Sequence, residues 1–420
     1  MRNESRTRLS LVLLLYFMGI VGVITLAPFR FVSTPDVSHV FMNGGWFDVV
    51  TNILLFLPLG FLYPLTRTSE DTSVLHVFLA GLLVSASIEM TQAFEPARYC
   101  ALLDVITNAM GAAVGAVVMR AVTRRIRVNA RLVGRLSLEI PLIGLIYLLL
   151  PLMLVVSLTA VDEPLRLIAL VPLGFLGARL LSAVQRYHFG PPGAFTDRAM
   201  GMFGAGWMAI GTFPVVLHRP LIGVGLAVLV GLATWFESTL PAFAGGERRF
   251  ETETLRSAAP YVIVYFALAA GLPLVGHVGG WHFVLGLAGS GGDPTDQMVR
   301  LLEPVASLTL LGYMLAEARG RRERPFRRMA FRLAIECACV AAISEGARGF
   351  QPELGASAVQ FVLVVAAGLL GGAIYHKQRQ HVRWILIHRP PTPIATNAVQ
   401  TAAAAASKSG LSRFSELSRP

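Results

Sequence analysis

Residues 139–161 read EIPLIGLIYLLLPLMLVVSLTAV, and after Glu139 the run carries no charged side chain. At 1.5 Å per residue, about 20 apolar residues cross the roughly 30 Å hydrocarbon core of a bilayer, so the run reads as a membrane-spanning helix. Outward from it, further apolar runs recur on both sides, separated by short arginine-bearing loops. The 420-residue chain is 54% hydrophobic and 15% charged, with a mean hydropathy of +0.62. A soluble domain carries about a quarter charged residues, so this composition excludes the soluble classes. The expected fold is all-α: a polytopic helical membrane protein with about twelve spans. These fall near 9–29, 47–65, 74–94, 101–120, 139–161, 164–184, 199–217, 220–237, 257–276, 299–317, 329–349 and 356–376.

The formal net charge of +11 rests on 36 Lys and Arg, of which only Lys377 and Lys408 are lysine. The arginines sit mostly in loops between apolar runs, with no interleaved aromatics, a topology signal rather than a nucleic-acid interface. With the N-terminus inside, the basic loops 120–136 and 318–328 and the segment from His376 all fall in the cytoplasm. About six basic residues then fall outside: Arg30, Arg98, Arg166, Arg219, Arg300 and Arg348. The first apolar stretch follows Arg2, Arg6 and Arg8, is too long for a signal-peptide core and lacks a small-x-small cleavage site. It reads as a retained anchor in a bacterial cytoplasmic membrane. Cys100, Cys337 and Cys339 supply neither a disulfide framework nor a CxxC pair. The nine histidines form no metal triad, and GxSxG, HExxH and P-loop patterns do not occur. Nothing in the sequence requires a cofactor.

The two ends of the chain resemble each other. Tyr16-Phe17 matches Tyr265-Phe266, and Gly60-Phe61 matches Gly312-Tyr313. Glu89, Phe94, Pro96 and Gly115 match Glu345, Phe350, Pro352 and Gly371. Spans 1–4 thus correspond in order to spans 9–12, a parallel internal repeat of four-helix units. The expected organisation is a cytoplasmic N-terminus (1–8), a four-helix unit (9–120), and a basic loop with four scaffold helices (121–256). A second unit (257–376) and a disordered cytoplasmic tail (377–420) follow. Segment 277–298 reads as an exposed loop.

Polar residues concentrate in the first unit. Asp48 and Asn52 are four apart in span 2, Glu89 and Gln92 three apart in span 3, and Asp104 and Asn108 four apart in span 4, each pair on one helix face. Topology brings all six, with Arg98, to the extracytoplasmic ends of three consecutive helices. An acidic residue at a helix centre costs about 2.5–3.5 kcal/mol on insertion scales, so such groups line cavities rather than face lipid. The expectation is one polar recess. Two plainer readings stand beside it: Asn52 and Asn108 as interhelical hydrogen-bond glue, and Asp48 as a cap on span 2.

The blocks Asp48-x-x-x-Asn52-x-x-x-Phe56-x-Pro58-x-Gly60, Glu89-x-x-Gln92-x-Phe94-x-Pro96-x-Arg98 and Asp104-x-x-x-Asn108-x-x-Gly111-x-x-x-Gly115 resemble the VanZ-like membrane protein family over roughly residues 10–120. That resemblance implies a cell-envelope protein, with a founding member associated with resistance to the glycopeptide teicoplanin and with no established reaction. It marks Asn52, Glu89, Gln92, Arg98, Asp104 and Asn108 as matching positions. In the second unit the counterparts are Arg300, Pro304, Arg348, Gln360 and Val364, and only Glu345 is retained. The second copy reads either as decayed scaffold or as a cationic site in which Arg300 and Arg348, with Arg98, hold an anionic lipid-linked phosphate.

Three functions follow from these readings. The first is binding or sensing of a lipid-linked or cell-wall-related ligand at the outer face. The second is a membrane enzyme for a polyprenyl-phosphate-like substrate, with Asp48, Glu89 and Asp104 as metal ligands or acid and base. The third is a secondary transporter, against which stands the scarcity of buried charge expected in spans 5–8.

Overall fold

A computed structural model of the chain describes residues 4–26, 32, 45–66, 72–94, 101–127, 142–188, 194–241, 247–275, 279–285, 294–320, 326–351 and 355–388. Thirteen α-helices account for nearly all of them. The first four are α1 (Glu4–Leu26), α2 (Trp46–Thr66), α3 (Val74–Gln92) and α4 (Leu102–Arg127). Next come α5 (Ile143–Asp162), a short 3-10 turn (Pro164–Arg166), α6 (Leu167–His188), α7 (Ala194–Gly211), α8 (Phe213–His218) and α9 (Pro220–Ser238). The last are α10 (Glu247–Gly271), α11 (Pro294–Arg319), α12 (Phe326–Arg348) and α13 (Ala358–His388).

Eight helices among the described residues are long and apolar enough to cross a membrane, and α1 and α2 carry shorter apolar stretches. The chain is a multi-pass membrane protein. Helices α7 and α12, which cover the spans expected at 199–217 and 329–349, fall outside that eight. In α12 the reason is plain: Arg328, Arg332, Glu336, Glu345 and Arg348 interrupt its apolar sequence.

Several expected boundaries move. The run 199–217 breaks at Thr212 into α7 and α8, where Pro214 in the first turn of α8 cannot donate to a continuous ladder. Helix α10 begins at Glu247, so the expected division at 256/257 falls inside it, and its polar first turns dock by stacking Phe250 on Tyr187 at 4.2 Å. The tail expected to be disordered from 377 is helical as far as His388, and residues 389–420 lie outside the described residues. Part of the loop expected at 277–298 pairs instead: Phe283–Val284 forms a two-residue parallel bridge with Ala356–Ser357. Residues 294–298 already belong to α11.

Among the described residues the packing divides into one large core and three smaller ones, of which one joins α11–α13 through Leu308, Leu333, Cys337, Ala341 and Val364. Another of the smaller cores joins α1–α4 through Val21, Leu55, Phe56, Leu59, Val77, Ala112 and Ala116. The large core joins α5, α6, α7, α10 and α11, with Tyr265 and Tyr313 among its largest fully buried side chains. Helix α2 packs chiefly on α4, and α11 on α13. Both crossings are backbone against backbone. A Cβ on Gly60 would lie 1.8 Å from the Ala112 carbonyl oxygen, and one on Gly115 2.1 Å from that of Leu57. A Cβ on Gly312 would lie 1.9 Å from the Gly368 carbonyl oxygen, and one on Gly371 2.0 Å from that of Thr309. Small residues allow helices in lipid this approach, where van der Waals contact rather than water exclusion drives association.

Candidate functional site

Helix α2 starts where α3 ends and α4 starts, so the polar residues of the first unit collect at one end of three helices. The first N–H groups of a helix have no partner inside it and must find one elsewhere. Gly45 precedes α2, its carbonyl accepting from Asp48 and Val49, and Asp48 Oδ2 accepts the Gly45 N–H at 3.0 Å. Asp48 therefore caps its own helix, half of a capping box, and is exposed. Ala101 holds the same place before α4, but Glu89 of α3 caps it: Glu89 Oε2 accepts the Ala101 N–H at 2.7 Å.

With that role taken, Asp104 turns to α2, and its Oδ1 accepts from Asn52 Nδ2 at 2.8 Å. One turn deeper, Asn108 Nδ2 donates to Ser85 Oγ on α3 at 2.9 Å. Gln92 Nε2 donates to the Thr25 carbonyl at 2.7 Å, which fastens α3 to the end of α1. Asn52, Glu89, Gln92, Asp104 and Asn108 thus gather toward one end of the helices, as hydrogen-bonded links among α1, α2, α3 and α4. Glu89, Gln92 and Asn108 are buried, while Asn52 and Asp104 are half-buried. Arg98 lies outside the described residues. The carboxylates of Asp48, Glu89 and Asp104 serve three different donors. Among the described residues no group of three His, Cys, Asp or Glu is placed to hold a metal ion.

The start of α13, which lies by the end of α12, is built with other partners. Glu345 Oε2 accepts the Ser357 N–H at 2.9 Å, capping α13 as Glu89 caps α4, and Ser357 Oγ accepts from the Gln360 N–H at 3.1 Å. Arg348 lies 3.7 Å from Glu345, and the side chain of Arg300 lies outside what the structure describes. A cavity of about 60 Å³ opens here, lined by Arg166, Tyr265, Glu303, Ser344, Arg348 and Gln351 among others. Gln351 Nε2 is buried with no hydrogen-bond partner among the described residues. A volume of this order admits a few water molecules, which would meet that donor.

Reading the sequence alone missed the main group in that cavity. Arg166, expected as an outer-loop cation, donates to Glu163 at 2.6 Å and to Glu303 at 2.6 Å, while the Tyr265 hydroxyl donates to the other Glu303 oxygen at 3.2 Å. The only signal for Glu303 is its place between apolar Leu302 and Pro304. The scaffold helices also hold more charge than expected: Arg179 and Arg186 both approach Glu237 Oε2, the second at 3.7 Å.

Residues 3–124 match the profile of the VanZ/LLP1 family, and those residues span α1 to α4. The resemblance carried by the three motifs therefore holds for that part of the chain. No match is found among curated proteins or among solved structures.

Proposed function

We propose that this VanZ-like protein lies in a bacterial cytoplasmic membrane with both termini inside, and binds or senses a lipid-linked or cell-wall-related ligand at the extracytoplasmic ends of α2, α3 and α4. The reading links it to glycopeptide resistance. The orientation is supported by the arginine-rich segments 120–136 and 318–328, which fall on one side when the helices alternate.

One observation carries the ligand. Asn108 is buried, its Nδ2 is spent on Ser85, and its Oδ1 has no partner among the described residues. Turned the other way round, the amide still leaves one end without a partner. A buried polar atom left so costs about 1–3 kcal/mol, a cost that a ligand hydroxyl or amide removes on binding. Asp104, half-buried one turn nearer the helix start, offers a second acceptor beside it.

The internal repeat belongs to the same proposal: α1–α4 and α10–α13 are two parallel copies of one unit. Supporting it are the paired close approaches Gly60/Ala112 and Gly312/Gly368, and the trans caps Glu89/Ala101 and Glu345/Ser357. The hydrogen bonds from Val32 N–H to the Phe94 carbonyl and from Gly279 N–H to the Phe350 carbonyl, both 2.8 Å, add a third pair.

The test is a strain lacking the gene, complemented with wild type, Asn108→Leu or Asp104→Asn. Each variant is first shown to reach wild-type abundance in the membrane. Loss of the glycopeptide tolerance that wild type restores is the expected result. Full tolerance from both variants at equal abundance would overturn the reading.

A further inference from the structure

We propose that the groove between α6, α9 and α10 holds an anionic phospholipid, one acyl chain in the groove and its phosphate at Arg179 and Arg186. The site is remote from the polar ends of α2–α4 and does not depend on what they bind.

The groove has a volume of about 330 Å³ and is walled by Phe175, Leu229, Leu232, Phe236 and Tyr261, with Glu237 at one end. Phe175 and Tyr261 stack at 6.1 Å and form one wall. Leu232 is 53% and Phe236 67% exposed, so the groove opens on the lipid-facing side of a membrane bundle. What fills an apolar groove there is a hydrocarbon chain, and the end of the groove decides which headgroup goes with it.

At that end two guanidinium groups approach a single carboxylate oxygen, Glu237 Oε2. Arg179 also donates through Nε to Ser257 Oγ at 2.8 Å, and Arg186 to the Pro241 carbonyl at 3.2 Å. Two guanidinium groups therefore converge at the end of an apolar groove, and guanidinium binds phosphate in a fork geometry. Gln185 supplies a second, independent sign. It lies on the α6 stripe of Ala178 and Ser182, the first of which lines the groove while the second donates to the Thr234 carbonyl of α9. It is 3% exposed, and neither end of its amide has a hydrogen-bond partner among the described residues. A phosphate ester with its glycerol hydroxyls offers acceptors and donors for both ends.

The test uses the purified full-length protein and native mass spectrometry with phosphatidylglycerol and phosphatidylcholine added at equal concentration, with glycerol phosphate in a separate arm. Wild type is expected to retain phosphatidylglycerol at least tenfold over phosphatidylcholine and to ignore glycerol phosphate. Arg179→Gln/Arg186→Gln should abolish the preference, and Leu232→Trp, at an exposed position, should reduce retention of both lipids. Glu237→Gln, which keeps both arginines, should leave the preference intact or raise it, and keeps the test valid if the double variant fails to fold. Equal retention of the two lipids by wild type, retention unchanged in Leu232→Trp, or glycerol phosphate binding as well as the lipid would each overturn the proposal.

Discussion

The first four helices and the last four share their backbone contacts and differ in nearly every polar side chain. In both, a glycine on the second helix meets the backbone of the fourth, and a glutamate on the third caps the start of the fourth. The first unit adds Asn52–Asp104 and Asn108–Ser85 and keeps a core of its own. At the positions that the proposed repeat would make equivalent, the last four helices carry Pro304, Gln360, Val364 and Ala341. They hold a small core of their own as well, and they also join the middle of the chain through Arg166–Glu303 and through the Leu142 N–H donating to Glu317 Oε1 at 2.8 Å. What both ends keep is therefore architecture, and what only one end keeps is a candidate for recognition. Glu89, which the sequence alone groups with the recognition residues, falls on the architectural side.

The largest effect should come from the shared glycines. Gly60→Leu and Gly312→Leu each drive a side chain into a facing backbone, and overpacking of this kind costs about 3 kcal/mol or more. Both variants should lose most of the folded protein recovered in detergent, as followed by thermal unfolding of the purified chain. A stable Gly312→Leu beside an unfolded Gly60→Leu would break the equivalence of the two crossings. Next come the caps. Glu89→Gln and Glu345→Gln keep an acceptor and lose its charge, so each should cost about 1–2 kcal/mol, since a charge-assisted bond is roughly twice as strong as a neutral one. Equal stability losses with tolerance lost only in Glu89→Gln would move Glu89 back among the recognition residues.

The fold was legible where hydropathy alone decides it. Residues 143–162 become α5 because a run uncharged as far as Val161 has to satisfy its backbone internally in lipid. The start of α10 was not legible: Glu247–Arg256 is too polar for a hydropathy window, yet Phe250 and Leu255 bury one stripe of it in the large core and continue the helix. The break at Thr212 was written in Pro214 but smoothed over by averaging. In the site, spacings of four residues placed Asn52 and Asp104 on facing stripes. Nothing in the sequence singled out Ser85, an ordinary small residue in a spanning helix, as the partner of Asn108. Arg166 and Glu303, 137 positions apart, meet only once three helices are packed.

Two smaller effects sharpen the contrast in polar contacts. A double-mutant cycle on Asn52→Leu and Asp104→Asn should give a coupling of about 0.6 kcal/mol, and at most about 1.7, the range of hydrogen bonds between membrane helices. No such cycle exists for the last four helices, where Pro304 has no side-chain donor. Asp48→Ala should do least. Its carboxylate is exposed and among the described residues accepts only the Gly45 N–H, so water replaces the lost cap and the cost is about 0.5 kcal/mol, salt-dependent through the charge at the start of α2. If Asp48 only caps its helix, the loss should shrink in high salt while glycopeptide tolerance stays at the wild-type level. Tolerance abolished with stability intact would instead make Asp48 part of the ligand surface and extend the recognition group by one full turn toward the helix start.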